Sequence, residues 1–225
     1  MSVIYKERSS DSPFVETIMH GRTVSDGSQI RPSEVHWHMV FARHHGRVYP
    51  VFVGPWTTAG IASWAEGAEN LWIKFSLGTF MPHLPPRDFL DVETALPGAA
   101  SNSFWLKGSA WQFPDFENVE TFIDRLVRED VRVHDPVVEA VLQGHPQAMA
   151  SRTVRHRFLH ATGLTQLHIY QAERAQRAAA PLQQGVPILD TVYEIGYFDQ
   201  PHMTRALKQF LSHTPGQIVQ MSVSK

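Results

Sequence analysis

The chain has 225 residues, 43% of them hydrophobic and 11% aromatic, which is enough to bury one large or two small cores and too apolar for disorder to dominate. It contains no cysteine, which excludes disulfides, thiolate metal sites and cysteine nucleophiles; no apolar run reaches the roughly 18 residues of a membrane span, and the start MSVIYKERSSDS lacks a signal-peptide core, so a cytoplasmic protein is expected. The net charge of −2 is uneven: residues 1–150 carry 12 Lys and Arg against 18 Asp and Glu, whereas 151–225 carry 8 against 4, which confines any phosphate-binding charge to the C-terminal third.

Residues 1–34 are polar and rich in Ser, Gly and Asp, and are expected as a loosely ordered arm with one strand near 14–19. VHWHMVFAR, RVYPVFVG, AGIASWAEG and NLWIKFSLG follow, four β-branched and aromatic runs separated by the turns HHG, GPWT and EGAEN. They predict an antiparallel sheet or small open barrel. MPHLPPRDFLD is too rich in proline for more than one helical turn, starting near Pro86, and NSFWLKGSAWQF reads as strand or turn.

FENVETFIDRLVRE is a helix with Val119, Phe122, Ile123 and Leu126 on one face. A second begins near Asp135-Pro136 and stops at Gly144-His145-Pro146, and SRTVRHRFLHATG, 151–163, is a third, closed by Gly163. Val154, Phe158 and Ala161 should face inward there, and Arg152, His156 and Leu159 outward with Arg155 beside them. About 167–184 forms a long helix of roughly 27 Å. Pro181 should kink it or end it early near 177–180, because proline removes a hydrogen bond and clashes one turn back.

The stretch 186–217 is the most informative. Ile188, Val192 and Ile195 make the stripe of a short amphipathic helix that must turn out at Gly196. Asp199 then offers an oxygen to cap a new helix with Pro201 in its first turn. Met203, Leu207 and Phe210 form that helix's inner stripe, with Pro201, Arg205 and Lys208 opposite, Thr204 on one flank, and His202 and Gln209 on the other. Two short helices joined by a tight turn, the second cationic outside, suit a helix-turn-helix entering a DNA major groove. Periodicity alone is equally met by an αα-hairpin without such a role.

GYFDQPHMTRALKQFLSHTP resembles the second helix-turn-helix of the AraC/XylS family of transcription regulators. Gly196, Tyr197, Asp199, Gln200, His202, Arg205, Lys208, Phe210, Thr214 and Pro215 fill the family's signature. The resemblance implies a first recognition helix at 151–162, where R-T-x-x-x-R-F…TGL is recurrent family text. It departs there in having His156 where arginine is usual, and Pro146 cuts the preceding helix short. It also implies a long helix holding the two units so that both recognition helices reach major-groove faces about 34 Å apart. Residues 70–91 and 101–138 resemble the N-terminal region found in one AraC-like subgroup.

The resulting fold class is α+β: an N-terminal antiparallel β-rich domain over 35–130 for sensing or dimerisation, then an all-α domain over 131–225 with two helix-turn-helix units joined by a long helix. The implied partner is double-stranded operator DNA; a small-molecule effector, a second copy of the chain and RNA polymerase are further candidates, and no cofactor is implied. DNA-binding residues are expected at Arg152, Thr153, Arg155, His156, Gln200, Pro201, His202, Arg205 and Lys208. Gln200, His202 and Arg205 would reach base edges, and Lys208, Arg155 and Arg174 phosphates. The lack of cysteine excludes the helix-turn-helix repair methyltransferases.

A rival reading is a metal- or ligand-binding β-domain enzyme whose C-terminal helices serve dimerisation. His36 and His38, one residue apart on a strand, would turn both rings to one side, as cupin-type metal sites do, but no further ligand follows at cupin spacing. Trp56, Trp64, Trp72, Trp105 and Trp111 fit a core or interface, or the wall of an apolar ligand pocket.

Overall fold

The computed structural model describes residues 3–99 and 102–223. The chain runs β1 (Val3–Arg8), β2 (Val15–Thr23), β3 (Gly27–Arg31), β4 (His38–His44), β5 (Arg47–Val53), β6 (Gly60–Trp64) and β7 (Glu69–Phe75). After these come β8 (Thr79–Phe80), a 3-10 turn (Pro86–Phe89), β9 (Glu93–Ala95), the hairpin β10 (Ser103–Leu106) and β11 (Ser109–Gln112), α1 (Val119–Arg128), β12 (Val133–His134) and α2 (Pro136–Leu142). The rest is helical: α3 (Ser151–Thr162), α4 (Gln166–Gln183), α5 (Ile188–Ile195), α6 (Gln200–Leu211) and α7 (Pro215–Val223).

Two compact units result, one from Met1–Ser28, His36–Pro55 and Ser63–Thr165, the other from Gln29–Val35, Trp56–Ala62 and Gln166–Lys225. In this grouping α2 and α3 fall in the first unit with the β-rich part.

The first unit is built on a six-stranded antiparallel sheet in the order β1-β2-β7-β4-β5-β9. Trp37 stacks on Phe52 and Phe75, with ring centroids 4.8 and 3.8 Å away. The inward face of α1 supplies Val119, Phe122, Ile123 and Leu126 to the same core, with Phe122 edge-on to Phe41 at 5.6 Å and Trp111 at 5.7 Å. The four strands expected over 35–78 all form, but β6 pairs with β3 in a separate ribbon rather than joining the large sheet.

The strand expected near 14–19 is β2, an interior strand with Ile18 opposite Ile73, both fully buried, but the loose arm expected around it is corrected: β1 and β3 also form there. A register shift between Val15 and Thr17 interrupts the two-residue alternation in β2, so that strand's buried face does not appear as a clean period.

In the second unit α4 is the element on which α5, α6 and α7 pack. Its buried face is Ile169, Ala172, Ala175, Ala178 and Leu182, where the small alanines let neighbouring backbones approach. The expected early end at Pro181 does not occur. The helix continues to Gln183, because Pro181 falls in its last turn, where one lost bond leaves no long segment behind it unsupported. Val186 N–H donates to the Pro181 carbonyl at 3.0 Å and closes that end. The backbone amides of Ala59 and Ser33 donate to the carbonyls of Gln209 and Phe210, each at 2.8 Å, and satisfy acceptors at the end of α6.

Candidate nucleic-acid interface

The α5–α6 pair is set by its turn, residues 196–199. Gly196 adopts φ +77°, the left-handed conformation that favours glycine, and ends α5. Tyr197, 4% exposed, goes inward and its N–H donates to the Val192 carbonyl at 2.9 Å. Asp199 Oδ1 accepts from His202 N–H at 2.7 Å and caps α6. The helix then buries Met203, Leu207 and Phe210, each at most 1% exposed, against the rest of the unit.

Opposite that stripe Gln200, Pro201, Arg205 and Lys208 are exposed. Arg205 and Lys208 are the cations of that exposed face, while the Asp199 carboxylate at the cap offsets the partial positive charge of the helix start. His202 is half-buried and edge-on to Tyr197, with ring centroids 5.2 Å apart. It is the most constrained of the expected base readers.

Arg174 does not fit the expected phosphate role. Its guanidinium lies 4.2 Å from the Tyr197 ring centroid, Nη1 donates to the Gly196 carbonyl at 3.4 Å, and Nη2 faces His202 Nε2 at 3.5 Å. A cation on α4 thus braces the α5–α6 turn. Sequence pattern shows only an arginine on a helix, since its partners stand 22 to 28 residues away. Phe198, in the turn and 89% exposed, carries no signal in the sequence pattern, because a turn residue belongs to neither helical stripe.

In the first unit α3 presents Arg152, Thr153, Arg155 and His156 to solvent and buries Phe158 and Ala161, as the spacing predicts. Arg157 turns elsewhere: its Nε and Nη2 grip Asp135 at 2.9 and 2.7 Å. Asp135 also caps α2 by accepting from Val137 N–H at 3.0 Å, so one carboxylate ties the two helices together and raises the Arg157 pKa through that hydrogen bond. The connection between α2 and α3, residues 143–150, is longer than the three- to four-residue turn typical of a helix-turn-helix. α3 also starts from Ala150 without a side-chain cap. Of the cations counted over 151–225, Arg157 and Arg174 are engaged internally.

His36 and His38 are drawn into other contacts. His36 Nε2 is 2.9 Å from Glu16 Oε2, and His38, 6% exposed, meets Trp72 edge-on at 5.6 Å. Among the described residues no group of three or more His, Asp or Glu could hold a metal. No helix among them is long and apolar enough to cross a membrane. A cleft of about 260 Å³ opens in the first unit, walled by Phe41, Phe113, Phe116 and His20 with Arg43 and Asn70. Its aromatic wall is phenylalanine, and none of the five candidate tryptophans lines it; Trp111 is 1% exposed in the core and Trp105 is 46% exposed.

The family model described as Helix-turn-helix domain matches residues 147–221, about a third of the chain. A comparison with curated proteins gives no match. Among solved structures, ToxT from Vibrio cholerae is similar over 98% of this chain and 99% of its own, at 10% sequence identity and a TM-score of 0.37. At that score neither fold nor function follows from the likeness. The family match takes in α3 to α6, including the Gly196 turn and the Asp199 cap. Residues 147–221 thus carry a helix-turn-helix domain of the AraC type.

Proposed function

We propose that the chain regulates transcription by reading a double-stranded operator through the major groove, with α6 as the principal reader and α3 as the second. The carrying observation is the capped start of α6, which holds Gln200, Pro201, Arg205 and Lys208 in solvent on the face opposite its buried stripe. Gln200 suits the N7 and N6 edge of adenine and Arg205 the O6 and N7 edge of guanine, with His202 beside them; each good pair is worth about 1–3 kcal/mol of discrimination. Lys208 and Arg155 hold phosphates, and Arg152, Thr153 and His156 form the reading edge of α3.

Selection of bound sites from random DNA, followed by Arg205→Ala on the preferred duplex and on a scrambled one, tests this. Binding should fall chiefly on the preferred duplex. Equal loss on both overturns base reading by Arg205, and weak salt dependence overturns the DNA assignment.

The cleft walled by Phe41, Phe113 and Phe116 is the proposed effector site in the β-rich part. At about 260 Å³ it falls below the roughly 300 Å³ at which drug-sized pockets begin, and Arg43, Glu69 and Asp115 share the lining with the phenylalanines, so a small effector with both apolar and polar groups suits it. Val48→Trp fills it and should abolish the thermal stabilisation that such a compound gives the wild-type chain.

A further inference from the structure

We propose that Phe198 is a specificity-determining residue that packs its ring on the 5-methyl group of a thymine in the half-site read by α6; this rests on the DNA-reading function above. Phe198 is 89% exposed, the highest value among the large hydrophobic side chains described. A single exposed apolar residue is ordinary on a protein surface, so its location carries the argument rather than its exposure.

Every other residue of the turn has an internal task. Gly196 takes the left-handed conformation and its carbonyl accepts from Arg174, Tyr197 is buried, and Asp199 caps α6 through His202 N–H. Between two anchored neighbours the Phe198 backbone is held in place while its ring projects into solvent, two residues before Gln200, the first residue of α6. In a helix-turn-helix the N-terminal end of the recognition helix is the part that meets base edges. The ring has no hydrogen-bonding group, and the apolar group that a major groove offers such a side chain is the thymine methyl.

The other large exposed side chains nearby in sequence, Leu189 at 57% and Tyr193 at 77%, lie four residues apart on α5, the leading helix. They make a protein-docking patch that includes Phe198 the rival explanation.

The test uses the full chain and its selected duplex, with each thymine replaced in turn by deoxyuridine, which keeps the Watson–Crick pairing and removes only the methyl. One such position should weaken wild-type binding by about 3- to 10-fold. Phe198→Ala should lose a similar factor on the thymine duplex and no longer distinguish thymine from uracil there, as a closed double-mutant cycle requires. Phe198→Leu should retain part of the discrimination, and at so exposed a position both variants should unfold with the wild-type midpoint.

A Phe198→Ala variant that keeps the full thymine preference overturns the assignment. Uniform weakening on thymine and uracil duplexes assigns the ring to sugar or backbone, and unchanged binding assigns it to a protein partner; either result overturns it too. A wild-type chain that enriches no sequence removes the DNA-reading function itself, an outcome distinguishable from all of these.

Discussion

Arg174 lies with its guanidinium over Tyr197, 4.2 Å from the ring centroid, and from there reaches the Gly196 carbonyl and faces His202 Nε2. A cation that would serve a phosphate on a bare helix instead fixes the angle at which α6 leaves the turn. Arg174→Ala should therefore lower stability by about 1–2 kcal/mol, the sum of a cation–π contact and a hydrogen bond to a charged group. It should weaken DNA binding while leaving the slope of log K against log salt unchanged, because no phosphate contact is lost. A slope reduced by about one would return Arg174 to the phosphate role. Binding titrations between 50 and 200 mM salt distinguish the two.

Asp199 caps α6 through a single short bond to His202 N–H. Asp199→Ala should cost about 1 kcal/mol of stability and fray the first turn, which carries Gln200, Pro201 and His202. Asp199→Ser, another capping residue, should restore most of it. Thermal unfolding of the three proteins checks the order wild type, Ser, Ala, and affinity for the preferred duplex should follow the same order.

The α5–α6 pair was legible in the sequence because its determinants are local: a glycine that must turn out, a capping aspartate, a proline in the first turn and a three-residue stripe, all within 188–211. The strands over 35–78 were legible for the same reason. What was missed depends on partners distant in sequence or lacks a buried face. β1 and β3 hide in polar sequence because neither strand has a buried face, and the brace formed by Arg174 requires knowledge of which residues α4 packs against. α7 had a local signal that went unused. Thr214 and Gln217 form a reciprocal capping box, with Thr214 N–H donating to Gln217 Oε1 at 2.8 Å and Gln217 N–H donating to Thr214 Oγ1 at 3.2 Å.

Gly163 ends α3 at φ +74°, and a Cβ placed there would meet Arg87 N and the Pro86 carbonyl carbon at 2.9 Å. Both obstacles are backbone of the 3-10 turn, so they cannot swing aside as a side chain would. Gly163→Ala combines left-handed strain with that clash and should destabilise the chain by about 2–4 kcal/mol. Gly144→Ala, also at positive φ but with nothing within 4 Å of the added carbon, should cost only the strain, about 1 kcal/mol. Chemical denaturation of the two variants separates clash from strain.

Glu16 receives a hydrogen bond from His36 and a contact from Lys74 Nζ at 3.2 Å. The His36 hydrogen bond first, then the charges of His36 and Lys74, hold its carboxyl at about 2 against the opposing effect of burial. A carboxyl depressed in the folded state adds stability above its unfolded pKa of about 4.3 and loses it as pH falls through the folded value. With the side chain 46% exposed, solvent screening reduces this to on the order of 1 kcal/mol. Glu16→Gln should thus be less stable than wild type at pH 6, and the gap should close between about pH 5 and pH 2. A gap that stays constant across that range would show that the pairing contributes nothing through ionisation.

Arg132 is a buried charge in the first unit. It is 6% exposed, its Nε is buried without a hydrogen-bond partner, and its guanidinium sits 3.1 Å from the centroid of the Phe14 ring. Burial pulls its pKa down to about 10, so it stays protonated at neutral pH, with its Nε desolvated and the face of the Phe14 ring against the guanidinium. A cation–π contact of about 2 kcal/mol does not cover a desolvation penalty of several. Arg132→Met keeps the length and apolar packing of the side chain without the charge, and should raise stability by about 1–3 kcal/mol. Phe14→Ala should lower it by more than the burial of its ring explains, because it leaves the guanidinium with less compensation. In the double variant that excess should vanish. Denaturant midpoints for the four proteins give the coupling directly, and a destabilised Arg132→Met would mean that the charge is balanced by an interaction other than Phe14.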